Sequence, residues 1–225
     1  MARRKKKRGR LLVVSGFSGV GKGTVIKELM AKHPEYAFSV SATTRAPRPG
    51  EVDGKDYFFV DAETFDKWVE EDRFLEFARF FGRSYGTLKD HVDQLRDAGR
   101  TVILDIEVEG AMNVVRLCPD AVSVYIIPPD AKELVRRITG RGTETQEQIT
   151  NRMIKAVKEA DIVERYGHVV VNDDVAATAA EIHALTQGKG TERVAREEAL
   201  RLTKAVQTEL KEILKDRTDC DTISI

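Results

Sequence analysis

The chain reads as an α/β protein: a largely parallel five-stranded sheet flanked by helices, with a smaller mixed α/β lobe inserted into it. Three observations predict this. Apolar runs of strand length, among them Leu11–Ser15, Thr101–Ile106 and Val122–Ile127, alternate with stretches of helical periodicity. The run Thr101-Val102-Ile103-Leu104 is almost unbroken in apolar character, as expected of a parallel strand covered on both faces. Residues about 37–90 are denser in short strand runs, which marks the inserted lobe.

The first strand leads straight into Gly16-Phe17-Ser18-Gly19-Val20-Gly21-Lys22-Gly23-Thr24, and helical spacing follows from Val25. Strand, glycine loop and helix are the context of a phosphate-binding loop. Glycines let successive N–H groups turn toward one anion, and the helix start adds its own free N–H groups and dipole. Lys22 then reaches the outer phosphates. The pattern has Ser or Thr directly after the lysine, to meet magnesium; here Gly23 stands between Lys22 and Thr24. A Mg²⁺ bridged to Thr24 through water is therefore the expectation.

The 225 residues fit one domain with a tail or with inserted lobes, and 41% apolar with 33% charged residues reads as soluble and globular. No apolar run approaches bilayer length, so no membrane partner is expected. Cys118 and Cys220 stand far apart, which argues against a disulfide framework or zinc site and for a reducing compartment, the cytoplasm. The scattered His33, His91, His168 and His183 are assigned no role. Seven of the 37 basic residues fall in the first ten, leaving 30 basic against 37 acidic residues beyond them. Residues 1–9 read as a solvated, disordered basic extension, with nucleic-acid contact by residues 1–10 as the less favoured alternative.

After the first helix, Tyr36–Ser41 alternates like a strand and runs into a loop containing Arg45-Ala46-Pro47-Arg48-Pro49. The prolines stiffen the loop, and two guanidinium forks three residues apart suit a phosphate. Tyr57–Val60 is a strand, and residues 62–71 a helix with Phe65, Trp68 and Val69 on one packing face. Alternation over residues 74–80 is followed by Gly82–Thr87. Tyr57, Glu76, Tyr85 and Thr87 end or flank these short strands, and together suit a pocket for a small polar molecule. A helix over residues 88–98 precedes the strand Thr101–Glu107. Asp105, at its carboxyl end, is placed to organise Mg²⁺ through waters.

A helix from Val108 to about Leu117, the strand Val122–Ile127 and an N-cap at Asp130 for the helix Ala131–Ile138 come next. Arg136, Arg137, Gly140, Arg141 and Gly142, with Arg152 one helical stretch later, read as a mobile phosphate-gripping lid whose closure excludes water. Of these, Arg136 best suits a solvated surface. A long helix over residues 146–165 leads to a last strand and turn from His168 to Asp174. Beyond Gly190, a charged helix from Thr191 to Arg217 carries one apolar stripe: Ala195, Ala199, Leu202, Val206, Leu210 and Ile213. The stripe either packs on the body or pairs with a second copy in a homodimer.

From Gly9 to about Leu185 the sequence closely resembles guanylate kinases. The resemblance is carried by Gly16–Thr24, Ser39–Arg48, Gly50–Tyr57, Leu104-Asp105-Ile106, Gly140–Glu144 and Val171–Asp174, in that order. It implies a P-loop kinase over residues 10–187, with a GMP-binding lobe about 37–90 and a lid about 137–155. Residues 188–225 form a helical extension outside the likeness. By the same resemblance, ATP phosphates lie on Gly16 to Thr24 and Asn172 approaches the adenine. GMP phosphate meets Arg45, Arg48, Tyr57 and Tyr85, with Ser41 close by, and Glu76 and Thr87 read the guanine. Glu107, standing where the family usually has aspartate, is the further implied guanine contact, with one extra methylene in its reach. Lys22, Arg137, Arg141 and Arg152 are the implied catalytic cations. The implied reaction is reversible transfer of the ATP γ-phosphoryl group to GMP, and to dGMP, with Mg²⁺. The alternative is a guanylate-kinase-like scaffold without turnover. Its members would be expected to lose the loop glycines or Lys22, which this chain retains.

Overall fold

The structure, a computed structural model, describes residues 7–80, 82–140 and 145–221. Its larger sheet has five strands in the order Tyr36–Phe38 (β2), Thr101–Asp105 (β7), Leu11–Gly16 (β1), Val122–Ile127 (β8) and His168–Val171 (β9). β2 runs parallel to β7, and β8 parallel to β9. A second sheet orders Phe58–Phe59 (β4), Ala42–Thr43 (β3), Arg83–Leu88 (β6) and Phe74–Phe80 (β5). The expected α/β class, with a largely parallel sheet and a separate group of short strands, is thus present. The chain divides into two compact units, Met1–Val13 with His33–Val122 and Val14–Lys32 with Ser123–Ile225.

In the first unit, Val102, Ile103 and Leu104 of β7 are buried, and Ser39 N–H donates to the Ile103 carbonyl just past the end of β2. The helices here are Ala62–Glu70 (α2), Lys89–Asp97 (α3) and Val108–Leu117 (α4). Asp61 caps α2 by accepting from Thr64 N–H at 2.7 Å. Tyr36–Ser41 is not one strand, contrary to expectation. The chain leaves the large sheet after Phe38 and joins the small one at Ala42. Alternation continues across the break, so side-chain pattern alone does not reveal it.

The small sheet has one irregularity that sets its chemistry. Phe74 pairs with Leu88 and Glu76 with Thr87, so β5 carries one extra residue, Leu75, against β6. This bulge changes the phase of alternation. Phe74 then packs with Ala42, Phe65 and Leu88 in the lobe core, and Phe77 stays within ring contact of Phe65 and Phe74. Glu76 and Ala78 lie opposite Thr87 and Tyr85 on the other face.

In the second unit, Lys22–Lys32 (α1) packs on Val175–Thr186 (α7), and Ala131–Thr139 (α5) on Gln146–Glu159 (α6). Asp130 caps α5 as expected, accepting from Glu133 N–H at 2.7 Å. Thr145 and Gln148 form a reciprocal capping box at the start of α6. The expected single helix over 146–165 ends at Glu159 and tightens to a 3₁₀ segment over Ala160–Arg165. The sequence reading leaves α7 unassigned. Its residues VAATAAEIHALT are small and apolar almost all round, so no polar face announces the helix.

The last helix runs Arg196–Asp221 (α8), starting five residues later than expected. Ala199, Val206 and Leu210 of its stripe are buried, and α8 packs on α5, α6 and β9. Of the two alternatives for the stripe, the structure therefore shows packing on the body. No described helix is long and apolar enough to cross a membrane. Of the basic extension, Arg8 pairs with Asp93 and Asp97 on α3. Arg3, Arg4, Lys5 and Lys6 lie outside the described residues.

Candidate active site

The glycine loop closes the carboxyl end of β1. A Cβ on Gly16 would stand 2.3 Å from the Ile126 carbonyl oxygen of β8. Gly19 has φ +90°, and a Cβ there would stand 2.4 Å from Cγ1 of Ile138 on α5. Phe17 and Val20 are fully buried, Phe17 edge-on to Tyr125 at 5.8 Å. Their side chains therefore belong to the core, and their N–H groups donate to the Ile126 and Phe17 carbonyls at 3.3 and 3.0 Å. Lys22 Nζ donates to the Gly16 carbonyl at 3.2 Å. Thr24, in the first turn of α1, is exposed, and so is Gly23.

Three of the expected polar residues converge on this loop. The Val20 carbonyl accepts from Arg137 Nη1 and from Asn172 Nδ2, each at 2.8 Å. Arg137 Nη2 donates to the Asn172 carbonyl at 2.9 Å, and its Nε to Glu133 Oε1 at 2.7 Å. Arg152 Nε approaches Ser18 Oγ at 3.4 Å. Hydrogen bonds from Arg136 and Arg137 hold the Glu133 carboxyl down to about 2. Arg136 is exposed, in keeping with its surface reading. Arg141 lies outside the described residues. A cavity of about 480 Å³ opens here, lined by Gly19, Gly21, Thr24, Arg137, Asn172 and Asp173 among others. Asn172 is buried, and its Oδ1 has no partner among the described residues. An orphaned buried acceptor beside a phosphate loop suits an exocyclic amine of a bound base.

The small sheet carries the other group. Arg45 is buried and forms a fork with Glu51, Nη1 to Oε2 at 2.9 Å and Nη2 to Oε1 at 2.8 Å. Its guanidinium lies 5.2 Å from the Tyr57 ring, and the Tyr57 and Tyr85 rings are 6.2 Å apart. Arg48 is exposed, and its N–H donates to Glu51 Oε2 at 2.7 Å. Ser41 is half-buried, its carbonyl bonded to Phe58 N–H at 2.9 Å. The structure thus brings Arg45, Tyr57 and Tyr85 together, with Arg48 tied to them through Glu51.

Thr87 Oγ1 donates to Glu76 Oε1 at 2.6 Å. Burial raises the Glu76 carboxyl above the usual carboxylate range; the Thr87 hydrogen bond holds it back in part, and the charge of Glu107 adds to the rise. Glu107 itself is exposed at the N-cap of α4, and Asp105 is exposed at the end of β7. The Glu76 carboxylate, held by the Thr87 hydroxyl, offers acceptor oxygens of the kind that suit a ligand edge presenting only donors.

Sequence reasoning missed two carboxylates here. Glu51 lies inside the run Gly50–Tyr57 and offered a local signal, an acid three residues after Arg48. Glu159 offered none. It sits 141 positions from Ser18 along the chain, yet accepts from the Ser18 N–H at 2.7 Å and so shapes the phosphate loop.

A family model described as guanylate kinase matches residues 8–189. A guanylate kinase of Caldanaerobacter subterraneus subsp. tengcongensis is 46% identical over 180 residues, covering 80% of this chain and 87% of the relative. One of Bacillus cereus is 45% identical over 190 residues, covering 84% and 93%. A crystal structure of guanylate kinase from Anaplasma phagocytophilum is 33% identical with a TM-score of 0.63, covering 84% of this chain and 89% of that one. The glycine loop, Glu76, Glu107 and the arginine loop all fall inside the matched span, and the chain belongs to the guanylate kinase family.

Proposed function

We propose that the chain transfers the γ-phosphoryl group of ATP reversibly to GMP, giving ADP and GDP, and that it accepts dGMP. The observation that carries this reading is the Glu76–Thr87 pair, 2.6 Å apart on the polar face of the small sheet, in a chain that also holds a complete glycine loop with its lysine. Guanine presents N1–H and an exocyclic amine on one edge, and a carboxylate accepts from both. Adenine would leave that acid poorly paired. A site built on such bonds rejects the wrong base by about 10⁴-fold or more.

The acceptor atom is a phosphate oxygen, already anionic, so no general base is required of the protein. Its work is alignment and charge. The loop N–H groups and Lys22 hold the donor phosphates. Arg137 and Arg152, both already against the loop, bring cationic charge to the transferring group. In the small-sheet lobe, Arg45 and Arg48 hold the acceptor phosphate beside Tyr57 and Tyr85. Mg²⁺ supplies neutralisation of the phosphate oxygens when bound. Thr24 and Asp105 are each exposed oxygen donors of the kind this cation takes through water. The scaffold alternative gains no support, since the loop glycines and Lys22 are all in place. Cys118, a free thiol among the described residues, suits the reducing cytoplasm in which we place the reaction.

A coupled ADP-release assay with Mg·ATP, comparing GMP, dGMP, AMP and UMP, tests the reading. Turnover is expected with GMP and dGMP, and failure with GMP overturns it.

A further inference from the structure

The segment after Gly190 lies beyond the span matched to the family, yet it is fastened to the wall of the nucleotide cavity. Three of its side chains hold β9 and the turn before it. Glu192 Oε1 meets His168 Nδ1 at 2.8 Å, at the start of the strand. Arg196 donates to the carbonyls of Glu164, Tyr166 and Gly167. Arg193 takes the other end of β9. Its Nη2 donates to the Val171 carbonyl at 2.8 Å and to Asp173 Oδ1 at 2.8 Å.

Arg193 is itself fixed from below. Its main-chain N–H and its Nε each donate to the Glu181 carboxylate at 2.7 Å. That carboxylate is 3% exposed, on α7. A buried acid bound to both main chain and side chain leaves the guanidinium little freedom, so its outer edge is presented at one place. That place spans Val171 and Asp173, the neighbours of Asn172, and Asn172 and Asp173 both line the cavity. Asp173 is half exposed, so its attraction to Arg193 is screened and small. What Arg193 provides is position, together with a counter-charge for a carboxylate on a wall that must admit a polyanion.

Building on the proposed ATP site, we infer that Arg193 is a positioning residue for the donor nucleotide: it pins the Val171–Asp173 turn so that Asn172 faces the base, and it neutralises Asp173. Arg193, which lies beyond the residues matched by the family model, thereby completes the donor pocket.

The test separates donor from acceptor. In Arg193→Ala, KM for ATP and the Kd for ATP alone rise about tenfold, a loss of about 1.4 kcal/mol of binding. KM for GMP stays unchanged. Arg193→Lys keeps the charge without the fork and recovers part of the loss. Adding Asp173→Asn to Arg193→Ala also recovers part, because the bare carboxylate is gone. Arg193→Ala leaves the buried Glu181 with the main-chain N–H but without its charged partner, so the double variant Glu181→Gln with Arg193→Ala is measured beside it, with thermal melting of both. Unchanged ATP affinity in either folded variant overturns the inference, and so does an equal rise in KM for both substrates. If the unaltered chain binds ATP but does not phosphorylate GMP, the proposed function fails instead, and the ATP-affinity comparison still decides the role of Arg193.

Discussion

A Cβ built on Gly110, in the first turn of α4, would stand 2.5 Å from Oε2 of Glu76 and 3.1 Å from its Cδ. The absence of a side chain at this position is what lets the Glu76 carboxylate lie against α4 while Thr87 holds its other oxygen. A methyl group there would have to displace the end of the Glu76 side chain and leave the backbone alone. Gly110→Ala therefore keeps the fold, with helix propensity slightly in its favour, and spoils the guanine wall. KM for GMP is expected to rise at least about tenfold while KM for ATP holds. Steady-state kinetics with each substrate varied in turn checks this; an unchanged KM for GMP refutes it.

The same carboxylate gives a pH signature. Burial raises the Glu76 pKa above its ordinary value near 4.5, so the folded chain binds this proton more readily than the unfolded one. Stability contributed by this group therefore falls as pH rises from about 4.5 through the raised folded value, and stays low beyond it. Glu76→Gln removes the buried charge and keeps an acceptor for Thr87. It is expected to raise the melting temperature by a few degrees at about pH 7 and by nothing in acid below the carboxylate range, while GMP turnover collapses. A melting series over pH on both proteins decides it. Equal pH profiles would show that Glu76 carries no such penalty.

Much of this is legible in the sequence. Strand–loop–helix order around Lys22, the Asp130 cap and the unbroken Val102-Ile103-Leu104 run all follow from local pattern, and the structure has each of them. Glu76 and Thr87 are readable as polar groups flanking short strands. Their pairing is not, because it depends on the extra residue Leu75, and a bulge leaves no mark in an alternating sequence. The partners that shape the site were least legible. Glu159 and Ser18, or Glu181 and Arg193, meet through tertiary packing alone. Arg137 was legible as a cation but not as a residue already bonded to Val20 and Asn172.

Arg45 and Glu51 supply a third prediction. The Arg45 fork, then the Arg48 N–H, hold the Glu51 carboxyl below its ordinary range. Its contribution is present above the ordinary carboxylate pKa and is lost as pH falls through the depressed folded value. Glu51→Gln breaks one arm of the fork beneath a buried guanidinium. The variant is expected to melt lower near neutral pH, to converge with the parent in strong acid, and to bind GMP more weakly because Arg45 is no longer aimed. Calorimetric melting across pH reads the first two outcomes. GMP titration reads the third.

Lys22 has a separable role. Its ammonium rests against the Gly16 carbonyl of its own loop at 3.2 Å. Lys22→Ala is expected to lower kcat by about 10² to 10³-fold, the usual effect of removing one group aimed at developing charge. GMP affinity measured in the absence of ATP should not move. Near-parent turnover would remove Lys22 from the mechanism.

The loop glycines differ in what they do, and a matched pair of variants shows it. Gly19 has φ +90°, and a Cβ there would meet Ile138 Cγ1 at 2.4 Å, so a side chain must both force an unfavourable backbone and displace the buried Ile138 side chain of α5. Gly23 has open space around a built Cβ and sits within α1. Gly19→Ala is expected to lose about 1–3 kcal/mol of stability and most of its ATP affinity. Gly23→Ala, with the same added atom four residues on, is expected to melt at or slightly above the parent temperature, because alanine is the better helix former. Gly23→Ser puts a hydroxyl directly after Lys22, where the commoner loop pattern carries one. If Thr24 acts on Mg²⁺ through water, Gly23→Ser should tighten the Mg²⁺ dependence of turnover, read as a lower metal concentration at half-maximal rate. An identical metal dependence in Gly23→Ser and the parent would show that the position after the lysine has no part in holding the ion.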